Sequence, residues 1–159
     1  MKKIFLIIII VGVLIMSIFA FKYLFKKPFV FENTKYMHYS YSDGYEAYSN
    51  VYYDLDYKDN EYAISYKPLG AREEEAISKV ISKEEVMELE KILTDNEIYK
   101  WDGFHKSDKN VLDGDGFSLT YSRLDSKGIS ASGYMMYPNN YLTFKSKISS
   151  WFRDKLGDN

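Results

Sequence analysis

The chain has 159 residues, a formal net charge of −2, 18% aromatic residues and no cysteine. Without cysteine, a lipid anchor attached through that residue is excluded, whereas an oxidising exterior and the cytoplasm both stay compatible with the composition. All 23 acidic residues lie after residue 27, and the acidic remainder has no basic stripe, so the composition disfavours nucleic-acid binding.

The first predicted element is a membrane anchor. Lys2 and Lys3 precede an uncharged segment, 4–21. At about 1.5 Å per residue, a helix of this length spans ~27 Å, close to the hydrocarbon thickness of a bilayer. We therefore predict that the chain contacts a lipid bilayer through residues 4–21 and is a single-pass protein of the cell membrane.

The domain boundary follows from this anchor. Residues 1–27 are predicted to form an uncleaved anchor, and residues 28–159 a single extracytoplasmic domain. Flanking lysines on both sides of the apolar segment do not decide the orientation, and the acidic remainder favours an external domain. A cleaved signal peptide is the alternative.

The next part of the chain is typical of antiparallel strands. Apolar and polar residues alternate over 37–41, 51–57 and 62–66, which is the period of a strand with one buried face. The polar turn at 58–61 predicts that the second and third strands form a hairpin. A fourth strand, at a sheet edge, is predicted between residues 72 and 81.

Tyrosine is concentrated in this region, with ten of the sixteen tyrosines between Tyr36 and Tyr66. Most fit the strand alternation, in which a ring packs in the sheet and its hydroxyl stays at the rim. Tyr45, Tyr48 and Tyr52 do not fit it. We predict these three as possible ligand-binding residues, because exposed rings can stack on sugars, with packing in the sheet as the alternative.

Two helices and a second hairpin complete the predicted elements. Ser82 and Glu85 form a capping box at the start of the first helix. The hairpin is predicted from the alternation over 117–122 and 129–133. The second helix begins after Pro138, with an aromatic stripe from Tyr141 to Phe152 on one side and basic residues largely on the other.

The loop over 101–116 contains the polar candidates for chemistry: His105, Asp113 and Asp115. We predict them as possible ligand-binding residues. With Gly116 at the glycine position of an EF-hand, Val111 falls at the first ligand position and Tyr121 or Ser122 near the terminal glutamate position, so the pattern fails. A lone histidine does not make a zinc site. We therefore predict no metal, no cofactor and no catalytic residue, and Asp-Gly pairs here also fit ordinary turns.

Four segments together resemble a recurring domain of uncharacterised bacterial membrane-anchored proteins and lipoproteins. They are Trp-Asp-Gly-Phe at 101–104, Asp-Gly at 113–114 with Phe-Ser-Leu at 117–119, Ser-Ala-Ser-Gly-Tyr at 130–134 and Tyr-Pro-Asn-Asn-Tyr at 137–141. The resemblance implies a membrane location and a shared fold, and no activity. The cysteine of the lipoprotein versions is missing in this chain.

The predicted fold class is α+β, with an N-terminal transmembrane helix followed by an antiparallel sheet of about six strands packed against two amphipathic helices. The predicted function is a tethered, non-catalytic binding or interaction module for an envelope ligand or a membrane protein partner. One alternative is an envelope hydrolase that uses the 102–116 loop, with His105 and Asp113 or Asp115. Another is a cytoplasm-facing accessory subunit of a membrane complex.

Overall fold

A computed structural model of the chain describes residues 29–42, 50–67, 71–72, 75–125 and 127–157. The described part contains seven strands, two α-helices and a 3₁₀ turn. These are β1 (Thr34–Ser42), β2 (Asn50–Lys58), β3 (Glu61–Lys67), β4 (Ile77–Ile81), α1 (Lys83–Asp95), the 3₁₀ turn (Ile98–Trp101), β5 (His105–Ser107), β6 (Gly116–Arg123), β7 (Gly128–Tyr134) and α2 (Tyr141–Leu156).

The strands form one mixed sheet in the order β4-β3-β2-β1-β6-β7-β5. Six of the strands pair antiparallel, and β5 pairs parallel with β7. The prediction of an antiparallel sheet of about six strands is therefore wrong. The missed strand, β5, is three exposed residues long. Its three residues, His-Lys-Ser, are all polar, so there is no alternation of apolar and polar residues that would reveal a strand.

The predicted transmembrane fold is also corrected. In the described residues, neither helix combines the length and the apolar character that crossing a bilayer requires. The segment predicted as the anchor, 4–21, lies outside the described residues. The single-pass membrane location is not retained. The combination of helices and strands agrees with the predicted α+β content.

The β2–β3 hairpin forms at the predicted turn. Its two central residues, Asp59 and Asn60, have φ angles of 54° and 66°, as in the two-residue turns that match the twist of a hairpin. Asparagine and aspartate tolerate this conformation better than most residues. The turn sets the register that places Tyr53 opposite Tyr66 and Leu55 opposite Ile64.

Both helices pack on one face of the sheet, and the hydrophobic core lies between the helices and the sheet. The strands bury alternate residues, including Met37, Tyr39, Leu55, Ile64 and Leu119. The helices contribute Leu89, Leu93, Phe144, Ile148 and Phe152 to the same core. The other face of the sheet is polar, because the alternate positions of the central strands are mainly serine, threonine, histidine and aspartate.

Two polar contacts hold α1 in place. The predicted capping box is present, with the Glu85 amide donating to Ser82 Oγ at 3.2 Å and the Ser82 amide donating to Glu85 Oε2 at 2.8 Å. Thr34, which is fully buried, donates through Oγ1 to Glu90 Oε1 at 2.7 Å. The first contact fixes where the helix begins, and the second ties its middle to strand β1.

Candidate functional site

The candidate site is a cleft of about 580 Å³ between residues 96–106 and residues 137–140. We call it the Trp101 cleft. Its walls combine aromatic rings, amide side chains and lysines. Among its lining residues are Trp101, Phe104, Lys106, Tyr137, Asn139 and Asn140. The volume lies within the range of small-molecule sites.

The first wall is the Trp-Asp-Gly-Phe segment, which turns sharply and packs onto β7. The Phe104 amide donates to Trp101 O at 2.8 Å, and Gly103 has a φ of 76°. Glycine adopts this left-handed conformation without the steric cost that a side chain brings. The turn is held to β7 because the Gly103 amide donates to Ser130 O at 3.0 Å and the Ser132 amide donates to Phe104 O at 2.7 Å.

The second wall is the segment 137–140, which leads into α2. The Trp101 indole, 2% exposed, donates from Nε1 to Asn139 O at 3.1 Å. This bond joins the two walls and satisfies a buried donor. Tyr137 stacks on Tyr141 with ring centroids 4.5 Å apart. Asn140 has a φ of 65° and precedes the first residue of α2, so the backbone turns sharply at the edge of the cleft.

The charged groups of the cleft include one ion pair. Lys100 Nζ lies 2.6 Å from Glu97 Oε1. Their hydrogen bond lowers the pKa of the Glu97 carboxyl and raises the pKa of the Lys100 amine, so both are charged near neutral pH. Lys106 Nζ lies 5.2 Å from the centre of the Phe104 ring. The cleft therefore offers an ammonium group beside a ring face.

The hydrolase hypothesis requires His105 to meet Asp113 or Asp115, but His105 lies on β5 beside Ser132 of β7. Its Nδ1 lies 2.9 Å from Ser132 Oγ on the neighbouring strand. Asp115 engages a different segment, because its carbonyl accepts from the Met135 amide at 2.8 Å and from the Tyr137 hydroxyl at 3.1 Å. Asp113 is exposed in the loop before β6.

The structure describes one of the three tyrosines that were predicted to bind a ligand. Tyr45 and Tyr48 lie outside the described residues. Tyr52 is on β2, on the polar face of the sheet, where Lys67 Nζ lies 5.1 Å from the centre of its ring. The neighbouring His38 pairs through Nδ1 with Asp54 Oδ1 at 2.6 Å. Tyr52 is thus not part of the Trp101 cleft, and the tyrosine platform stays a prediction.

Within the described ranges, no group of three or more histidine and acidic side chains is arranged to hold a metal ion. No protein-family model matches the chain, and a search of curated proteins finds no match. The resemblance based on the four sequence segments therefore stays a prediction. The functional argument rests on the geometry of the site.

Sequence reasoning identified the segment 101–104 as part of the candidate loop 101–116 and through the resemblance, and it identified the segment 137–141 through the resemblance. It did not identify Lys106 or Asn139 as residues of a shared site. The available signal was composition: a tryptophan, a glycine and a pair of asparagines lie in two irregular segments. Binding and catalytic residues lie disproportionately on irregular segments that a rigid scaffold positions.

Proposed function

We propose that this domain is a non-catalytic binding module that takes its ligand in the Trp101 cleft. The observation that carries the proposal is the convergence of two segments that are distant in the chain, 96–106 and 137–140, on one cleft lined by ring faces, amides and lysines. Binding sites combine an apolar surface with a few convergent polar groups in this way.

The chemistry of the walls defines the kind of ligand. Asn139 and Asn140 supply amide donors and acceptors, Lys106 supplies a positive charge, and Phe104 and Tyr137 supply ring faces. A ligand that fits has a flat face and a hydrogen-bonding edge, such as a sugar ring or a planar heterocycle. The indole of Trp101 belongs to the floor of the cleft, because it is buried and hydrogen-bonded.

The cleft contains its own fluorescent probe. The chain has two tryptophans, and Trp151 lies on α2, where its indole donates to Glu88 Oε2 at 3.3 Å. In a Trp151→Phe background, emission therefore reports on Trp101. Titration with a panel of monosaccharides and nucleosides is expected to give a saturable change in emission for at least one compound class.

Variants then locate the site. Lys106→Ala and Asn139→Ala are expected to weaken binding by about tenfold, because each removes a polar contact to the ligand. Lys109→Ala is the matched control, since Lys109 is exposed and does not line the cleft. A panel that leaves Trp101 emission unchanged, or a control variant that weakens binding as much as the cleft variants, would contradict the proposal.

A hydrolase that uses the 102–116 loop is the second candidate, favoured by the short distance between His105 Nδ1 and Ser132 Oγ, 2.9 Å. A base within this distance of a hydroxyl is a requirement of nucleophilic catalysis. Ser132→Ala separates the two candidates with p-nitrophenyl acetate as the substrate. The binding proposal expects equal background rates for this variant and the unchanged chain, whereas a serine hydrolase would lose its turnover.

A further inference from the structure

A second cavity lies between α2 and the strands β1, β2 and β3. It has a volume of about 370 Å³. We call it the α2 cavity. Six of its lining residues carry the argument: Tyr41, Tyr53, Tyr66, Lys145, Ser149 and Arg153.

The polar groups of the α2 cavity come from one face of the helix. Lys145, Ser149 and Arg153 are spaced four residues apart, and side chains at this spacing share a face. Lys145 Nζ lies 4.0 Å from the centre of the Tyr41 ring. Two cations therefore line the cavity, and no carboxylate of the described residues does.

The tyrosines form the opposite wall. The rings of Tyr53 and Tyr66 stack with centroids 5.3 Å apart, and those of Tyr41 and Tyr53 lie 6.4 Å apart. Burial raises the pKa of the Tyr53 hydroxyl, so this group stays protonated near neutral pH and is a hydrogen-bond donor. The wall thus combines flat ring surface with phenolic hydroxyls.

Ser149 supplies an independent observation. Its side chain is 8% exposed, and in the described residues its Oγ has no hydrogen-bond partner. The Ser149 side chain offsets part of the rise in the pKa of the nearby Tyr53 hydroxyl. The geometry between Ser149 Oγ and the Tyr53 hydroxyl nevertheless falls short of a hydrogen bond. Buried hydroxyls are normally satisfied, because an unsatisfied one costs free energy. The Oγ itself is closed to solvent, so a ligand in the cavity would satisfy this hydroxyl through a rotation of the Ser149 side chain.

We propose that the α2 cavity binds a small phosphate monoester that carries a planar group. A phosphate has about two negative charges and three acceptor oxygens, which matches the two cations and the serine and tyrosine hydroxyls better than the single charge of a carboxylate does. The planar group lies against the tyrosine rings. This site is separate from the Trp101 cleft and does not depend on the function proposed for it.

The test is calorimetric titration of the full-length protein with phenyl phosphate. Inorganic phosphate tests the anion alone, benzoate tests a carboxylate on the same ring, and phenol tests the ring alone. Phenyl phosphate is expected to bind most tightly of the four, with a dissociation constant that rises as salt screens the two cations. Absence of saturable binding in the millimolar range would overturn the proposal, as would inorganic phosphate or benzoate binding as tightly as phenyl phosphate.

Arg153→Gln is expected to weaken phenyl phosphate binding at least about tenfold, because it removes a charged donor. Lys147→Gln is the matched control, since Lys147 is exposed on the same helix and does not line the cavity. Its effect is expected to stay within about twofold. Equal losses in the two variants would mean general attraction of anions to a basic helix and would refute the site.

Ser149→Ala separates binding from folding. The substitution removes a buried hydroxyl without a partner, so the free energy of unfolding is expected to stay the same or rise. Binding of phenyl phosphate is nevertheless expected to weaken severalfold. Unchanged affinity in this variant would show that the hydroxyl does not face the ligand and would contradict the proposed site.

Discussion

Gly133, on β7, lies close to the backbone of Met136, the residue that precedes the second wall of the Trp101 cleft. A methyl group at this position would lie 2.0 Å from the backbone oxygen of Met136 and 2.6 Å from Cε1 of Phe117. The backbone oxygen cannot rotate away as a flexible side chain can. Gly133→Ala must therefore displace either β7 or the chain around Met136.

The expected cost follows from the size of this clash. Overpacking a core by one carbon costs typically 1–3 kcal/mol, and contact with backbone places Gly133→Ala near the upper end, at ~3 kcal/mol. For a domain of this size, 1 kcal/mol corresponds to roughly 4 °C in Tm, so Tm is expected to fall by roughly 12 °C. Because Met136 precedes Tyr137, the cleft is also expected to change shape.

Two measurements check the prediction. Urea unfolding gives the free energy of unfolding, and the emission of Trp101 in the Trp151→Phe background reports the shape of the cleft. Ser130→Ala is the control, because Ser130 is exposed on the same strand. A loss below about 0.5 kcal/mol in Gly133→Ala, which is the range of ordinary surface substitutions, would refute the argued contact between β7 and Met136.

Three further predictions concern the stability of the fold. The Thr34 hydroxyl lies 2.7 Å from Glu90 Oε1 and 3.0 Å from Tyr121 Oη. Thr34→Val removes both hydrogen bonds and is expected to lower the free energy of unfolding, measured by urea unfolding, by about 1–3 kcal/mol. Ser82→Ala is expected to lower it by about 1 kcal/mol in the same assay, because the capping box is lost. Burial raises the pKa of the Tyr121 hydroxyl to about 12, above its ordinary value of about 10. Urea unfolding at a series of pH values is therefore expected to show the full contribution of Tyr121 to the free energy of unfolding below pH ~10, and the loss of this contribution as the pH rises toward 12.

Matched controls accompany these measurements. Thr143→Val is the control for Thr34→Val, and Ser78→Ala is the control for Ser82→Ala, because Thr143 and Ser78 are exposed residues of the same types. A control that lowers the free energy of unfolding as much as the variant it accompanies would contradict that prediction. For the alkaline transition, Tyr121→Phe removes the titrating group. If this variant lost stability over pH 10–12 as steeply as the unchanged chain, Tyr121 would not contribute to the transition.

Local patterns were sufficient for most of the elements. The alternation over 51–57 and 62–66 predicted two strands and the face that each buries, because a strand exposes side chains on alternate sides. The polar turn between them predicted that they form a hairpin, and the capping box of Ser82 and Glu85 predicted where α1 begins. Each of these features depends on residues within a few positions of one another.

The candidate sites did not follow from local patterns. His105 was predicted to act with Asp113 or Asp115, its near neighbours in the chain. The parallel pairing of β5 with β7 places it instead opposite Ser132, 27 residues away. The Trp101 cleft likewise requires Asn139 to come to the Trp101 indole, and nothing in either segment specifies that approach before the chain is folded.

The amino-acid sequence by itself determined where both helices and every strand except β5 form, because turn chemistry, capping and side-chain alternation act over a few residues. Tertiary structure alone decided the order of the strands, the direction of β5 and the composition of both cavities. Those features depend on contacts between distant segments, such as the packing of Tyr53 against Phe152, with ring centroids 4.7 Å apart. Such contacts are selected by the packing of the whole core.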